Sequence, residues 1–214
     1  MSIVTISRMY GSGGSEVAAR VANALGWQLL DNAFVQEVAR RLGVPAEEVA
    51  EREERVATLA QRLAAAMTLG APEILPGPAS ATLPPNEERL VEVTTRIIRE
   101  AVQRGHAVLV GHGAQSVLAE RGDVLHVFCC APRPALVARA AARLHVSPAE
   151  AERMVDETNR QREQYVRKYY HRSWLSPASY HLCLNTEWLG IGGAAELIVR
   201  VAREHFGLDA RRPG

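Results

Sequence analysis

The sequence predicts a three-layer α/β fold, a parallel sheet covered on both faces by helices. Short apolar runs rich in Val, Ile, Leu and Cys recur along the chain, helical patterns stand between them, and a glycine-rich turn joins the first run to the first helix. Strands that do not alternate apolar with polar residues belong to a sheet with no solvent face, and parallel neighbours need crossover helices. The first strand covers residues 3–6, and Val17, Val21 and Leu25 mark the stripe of the helix after the glycines. A weaker strand covers 27–30. Residues 34–86 then form an insertion, charged and helical to about residue 69, followed by APEILPGPASATLPP at 71–85. Its five prolines exclude helix and central strand. As a flap, a homodimer contact or a plain surface excursion, this insertion separates the second and third strands. Leu90, Thr94, Ile97, Ile98 and Ala101 give the next helix, and strands follow at 107–110 and 124–130. Ser147, Pro148 and Glu150 read as a capping box opening a long helix to about Tyr169. A weak strand at 180–184 and a helix through Ala194, Leu197, Ile198 and Val201 close a single domain over 1–214, with five strands in all.

Bulk properties exclude several classes. With 25 basic and 24 acidic residues among 214, the chain lacks the electrostatic footprint of a nucleic-acid or lipid-surface binder, so a polyanion must meet a local cluster. Three cysteines, Cys129 and Cys130 adjacent in an apolar run, fit reduced thiols and a cytoplasmic setting. No eighteen-residue apolar stretch and no basic flank with a long apolar core occur, which predicts neither a membrane span nor an export signal. The histidines lack the spacing of a structural metal site.

The stretch TISRMYGSGGS carries the chemistry. A turn between a first strand and a helix aims several backbone N–H groups at one anion, and the helix dipole adds partial positive charge. Phosphate is the usual guest. Against the pattern G-x-x-x-x-G-K-[ST], Gly13 takes the second glycine and Ser15 the hydroxyl that meets magnesium, while Arg8 falls on the first glycine and Gly14 on the lysine. The loop is either a phosphate cradle built from Gly11, Ser12, Gly13, Gly14 and Ser15 or a tight strand-to-helix turn. Arg8 either reaches the phosphates or flanks the loop.

Further candidates lie along the long helix. Arg153, Asp156, Arg160 and Arg167 recur at intervals of three, four and seven and share one face, with Asp156 in range of Arg160. This is a cationic stripe over the phosphates or a solvated face. Arg162 and Lys168 point elsewhere. Arg139 and Arg143 stand four apart on the preceding helix. Asp31 follows the second strand, at the strand ends where open α/β sheets collect ligands, and binds an acceptor hydroxyl or caps a helix. Gly111, His112 and Gly113 end the third strand; the glycines permit close backbone approach, and His112 is an acceptor contact or a polar strand end. Asn185 and Thr186, after the last strand, approach an adenine ring or, as favoured here, cap the final helix, and Trp174 and Trp188 read as residues fastening loops to the core.

TISRMYGSGGSEVAARVANALG, VLVGHGAQSVL and YHLCLNTEWLG, in this order and spacing, resemble the cytidylate kinase-like proteins, relatives of the nucleoside monophosphate kinases, from residue 3 to about 206. The resemblance implies a P-loop kinase fold with a monophosphate-binding insertion at 34–86 and a lid at 147–176, in which DETNRQREQYVRKYY brings arginines over the phosphates. It implies ATP with Mg2+, transfer of a phosphoryl group to CMP, dCMP or a related nucleotide, and catalytic roles for Arg8, Arg160 and Arg167. Arg153 then joins the glycine loop on ATP, while Asp31, Gly111, His112, Arg139 and Asp156 fall to the acceptor. Relatives keep an SR...YGSGG loop without its lysine, as here, but usually show GRGA where this chain has GHGA. An alternative is a nucleotide-binding sensor that has lost turnover, or a kinase of a non-nucleotide small molecule.

Overall fold

A computed structural model describes residues 1–31, 40–41 and 87–208. The predicted insertion at 34–86, with its proline-rich stretch, lies outside the described residues except for Arg40 and Arg41. Five strands, β1 (Ile3–Arg8), β2 (Gln28–Leu30), β3 (Ala107–Val110), β4 (Val124–Cys130) and β5 (Leu182–Asn185), form one sheet of order β2-β3-β1-β4-β5 in which every pairing is parallel. Around it stand α1 (Gly14–Leu25), α2 (Glu87–Gln103), α3 (Ala114–Val117), α4 (Arg133–Leu144), α5 (Pro148–Tyr170) and α6 (Thr186–His205). Among the described residues no helix is long and apolar enough to cross a membrane.

The predominantly apolar strands are explained by two cores. Side chains alternate across a strand, so Val4 and Ile6 of β1 join Val108, Val110, Leu125 and Val127 beneath α1 and α6, against Val17, Val21 and Ile198. Ile3, with Leu109 and Val124, faces the other way onto Leu90, Ile97, Ile98 and Val102 of α2. Fully burying one such side chain contributes about 1.5–3 kcal/mol. A third cluster, Phe128, Tyr165, Val166, Trp174 and Tyr180, seats the second half of α5. Trp174 meets Phe128 edge-on at 5.4 Å and fastens its loop as expected.

β1 runs two residues past its apolar stretch. Ser7 and Arg8 stay in register with Phe128 and Cys129 because main-chain pairing continues where the hydrophobic signal stops. This carries the glycine turn to the carboxyl end of the sheet. There β1 lies between β3 and β4, on which successive connections leave in opposite directions, and the crevice at such a point collects ligands in open α/β sheets.

The long helix starts as its sequence predicts. Ser147 Oγ accepts from the Glu150 N–H at 3.2 Å and Pro148 takes the first helical position. The Glu150 carboxylate accepts from Arg153 instead of closing the box. Asn185 caps α6, its Oδ1 accepting from the N–H groups of Glu187 and Trp188 at 3.0 and 3.2 Å. Trp188, read as a core fastener, is 83% exposed.

Candidate phosphate-binding site

The glycine turn is built by backbone constraints from four sides. The Met9 N–H donates to the Cys129 carbonyl at 2.9 Å, and the Tyr10 N–H donates to Asn159 Oδ1 of α5 at 2.8 Å. Arg162, also on α5, donates through Nη1 to the Arg8 carbonyl at 2.8 Å and places its guanidinium 5.8 Å from the Tyr10 ring centroid. Thr186 Oγ1 donates to the Ser12 carbonyl at 2.7 Å. Gly11 adopts φ +80, and a side chain there would strike the Leu136 carbonyl of α4, so only glycine suits it.

Ser12 faces inward. Fully buried, it donates both its hydroxyl and its N–H to the Met9 carbonyl, at 2.7 and 3.2 Å. Its role is to tie the turn. Gly13, at φ +74, is the N-cap of α1 and offers no side-chain acceptor to the first-turn amides. The leading N–H groups of a helix have no intrahelical partner, so those of Gly14, Ser15 and Glu16 are directed at whatever occupies the cleft beyond them.

That cleft measures about 1010 Å³. Arg8, Arg139, Arg143 and Arg162 line it against two carboxylates, Glu16 and Asp31, and Ser15 with the loop glycines forms its floor. Glu16 also pairs with Arg20 on the next turn at 2.9 Å, leaving the cleft cationic. Arg143 makes no ion pair among the described residues. Arg139 is anchored by Thr186 Oγ1 and the Thr186 carbonyl, both at 3.1 Å, and by Glu187 at 2.5 Å.

The cationic stripe expected along α5 is not brought to the cleft. Arg153 pairs with Glu150, Arg160 with Glu157 at 2.6 Å and Arg167 with Glu163 at 2.8 Å, all on the side turned to solvent. Asp156 pairs with Arg133 of α4 at 2.5 Å rather than with Arg160, and hydrogen bonds from that guanidinium hold its carboxyl below the usual range. The buried residues Ala151, Val155, Tyr165 and Val166 decide which face of α5 packs. Asn159 and Arg162, four and seven positions beyond Val155, share that face. Arg162, expected to point elsewhere, therefore reaches the loop. The apolar periodicity of α5 was the signal that identifies it, and charge spacing was not. Asn159 and Tyr10 had no sequence signal of their own.

Asp31 lines the cleft at the end of β2. Gly111, His112 and Gly113 sit at the end of β3 with φ of 71, 55 and 70, three consecutive left-handed residues. Left-handed backbone at a non-glycine residue is uncommon and gathers at functional sites. The Gly111 N–H donates to the Ile6 carbonyl at 3.1 Å, and Gly113 yields its side-chain space to the Tyr170 ring. The Arg8 guanidinium reaches Gly111 and so spans the distance from the glycine turn to this segment. Below the turn, burial pushes the Cys129 thiol up to about 12 despite Arg8 nearby, which leaves it an inert core thiol.

The residues present fit a magnesium-bound triphosphate: arginines and uncapped helix-terminal amides for phosphate oxygens, and the Ser15 hydroxyl and Asp31 carboxylate as the hard oxygen donors magnesium prefers. A parallel five-stranded sheet whose first strand turns through glycines into a helix N-terminus at the strand-order crevice defines the P-loop kinase class. The chain belongs to the cytidylate kinase-like family, which it matches over residues 3–188. An uncharacterized protein from Eubacterium ventriosum ATCC 27560 superposes with a TM-score of 0.68 at 17% identity, covering 94% of this chain and 98% of that one. Shikimate kinase from Acinetobacter baumannii gives 0.51 at 15% identity over 100% and 96%. A gluconokinase from Sinorhizobium meliloti 1021 gives 0.53 at 13% identity over 97% of each chain. At such identities the likeness is one of fold. No curated protein matches the chain.

Proposed function

We propose that the protein is an ATP-dependent phosphotransferase acting on a nucleoside monophosphate, CMP or dCMP or a related nucleotide. The observation that supports it most is the convergence, in one cleft, of the uncapped N-terminus of α1 with Arg8, Arg139, Arg143 and Arg162. Phosphoryl transfer asks the protein mainly to position the reactants and neutralise the equatorial oxygens. The first-turn amides hold the outer phosphates, and Asn159 and Arg162 keep the turn in the shape that presents them. Arg8 and Arg143 supply charge to the transferring group. Asp31 and the Gly111–Gly113 segment orient the acceptor from the ends of β2 and β3. Magnesium, entering with the nucleotide, adds charge neutralisation at the outer phosphates. An acceptor phosphate oxygen bonds the γ-phosphorus as the bond to the β-phosphate oxygen breaks, giving ADP and a diphosphate, and no general base is required.

Gly14 in the lysine position favours a second reading, a nucleotide-binding module without turnover. Incubation with ATP, magnesium and a panel of nucleoside monophosphates, with ADP release followed, separates the two. ADP release dependent on CMP or a related monophosphate supports the kinase. MgATP binding with no turnover on any member supports the module, and turnover only on a panel of non-nucleotide hydroxyl compounds replaces the nucleotide acceptor by a small molecule.

A further inference from the structure

The two departures of the glycine turn from the standard phosphate-loop pattern are residues in contact with one another. A Cβ placed on Gly14 would collide with the Cβ of Arg8 and come within 3.0 Å of its Cγ and 3.3 Å of the Cys129 Cβ. These atoms are rooted in β1 and β4, paired here as Arg8 with Cys129, and cannot swing aside as the end of a long side chain would. Positions 8 and 14 therefore share the space of one side chain. The standard pattern gives it to a lysine at the helix start and places glycine at the strand end. This chain reverses the two, with arginine at the strand end and glycine at the helix start. What reads in sequence as two losses is in space one exchange.

A second glycine completes the seat. Beyond Gly14 the Arg8 side chain runs to Gly111, where its guanidinium fills the volume a side chain would need. We propose that Arg8, seated between Gly14 and Gly111, is the phosphate-binding cation of this site and replaces the loop lysine from the opposite side of the turn. The proposal rests on the reading of the cleft as a triphosphate site. It adds a difference in kind: a planar fork of five donors takes the place of a point charge, and it stands between the glycine turn and the Gly111–Gly113 segment, where donor and acceptor meet.

The exchange is tested first without any nucleotide. Gly14→Ala is measured by thermal unfolding in the native background and in Arg8→Gly. Alanine is the better helix former, so the substitution lowers the melting temperature when Arg8 is present and leaves it unchanged or raises it when the arginine stem is gone. Equal shifts in both backgrounds overturn the shared space. Calorimetry with MgATP then tests the role of the charge. Arg8→Gln, which keeps the stem, weakens binding by about tenfold or more, as expected for loss of a charge-assisted contact, while Arg8→Lys, which keeps the charge without the fork, falls between Arg8→Gln and the native protein. The double variant Arg8→Gly with Gly14→Lys recovers affinity lost in Arg8→Gly. Undiminished affinity in Arg8→Gln overturns the role. A native protein that binds no MgATP overturns the triphosphate reading, with the thermal cycle still deciding the exchange.

Discussion

Thr186→Val is the sharpest probe of how the glycine turn is held. The Thr186 hydroxyl, fully buried, donates its single proton to the Ser12 carbonyl at 2.7 Å, in preference to the Cys130 carbonyl at 3.1 Å, and accepts from Arg139 at 3.1 Å. Valine keeps the shape and removes the donor, so the Ser12 carbonyl stays buried with its hydrogen bond unmade. A buried polar group left this way costs about 1–3 kcal/mol. The Arg139 bonds to the Thr186 carbonyl and to Glu187 survive, which limits the loss to about 2 kcal/mol. For a chain of this size each kcal/mol moves the melting temperature by about 2–4 °C, so circular dichroism should record a fall of about 4–8 °C. Thr186→Ser keeps the donor and is the control, with a smaller fall from the lost methyl. A valine variant melting with the native protein, or a serine variant falling as far as valine, refutes the tether.

Three further outcomes follow from particular contacts. Ser147→Ala removes the side-chain acceptor of the Glu150 N–H and should cost about 1 kcal/mol, read as a melting shift of about 2–4 °C. His126 is buried, with Nδ1 2.7 Å from Thr5 Oγ1 and its ring stacked 5.2 Å from His181; burial first, and His181 second, push it from the usual 6.5 down to about 4. Between those values the unfolded chain takes up a proton that the folded chain refuses, so this group lowers stability as pH falls from 6.5 towards 4, and its slope dies away above 6.5. Denaturant titrations across pH should show that slope in the native protein and a flatter one in His126→Asn. Of the three thiols only Cys183 is exposed. An aromatic disulfide reagent should label one thiol quickly in the folded protein, and Cys183→Ser should abolish the fast phase.

Much of the fold was legible because burial on both faces leaves an unmistakable mark. Residues 107–110, apolar throughout, and 124–130, apolar but for His126, become β3 and β4 without adjustment. Caps were equally readable: Ser147 before Pro148, and Asn185 before α6, act through their own side chains. β1 was harder to bound, since Ser7 and Arg8 extend it by main-chain pairing alone.

The site was legible where the backbone makes it and obscure where distant elements do. The strand, glycine turn and helix follow one another in sequence. Which arginines join them depends on how α5 is rotated, and that is decided by Val155, Tyr165 and Val166, not by the spacing of charges. Arg153, Arg160 and Arg167 therefore stand outside with glutamate partners, and Arg162 stands inside. Trp188, read as fastening a loop to the core, instead projects outward three positions past the Asn185 cap. The kinship of Arg8 with Gly14 was invisible in one dimension, because only β1 folded beside the start of α1 brings them together.

The central claim, that the uncapped start of α1 and the arginines around it hold a nucleotide's triphosphate, is tested most directly by a crystal structure with magnesium and a non-hydrolysable ATP analogue. The account predicts the β- and γ-phosphates on the amides of residues 13–16 with the Arg8 guanidinium on a γ-phosphate oxygen. An analogue bound elsewhere, or phosphates seated in the turn with Arg8 still against Gly111 and clear of them, would contradict it.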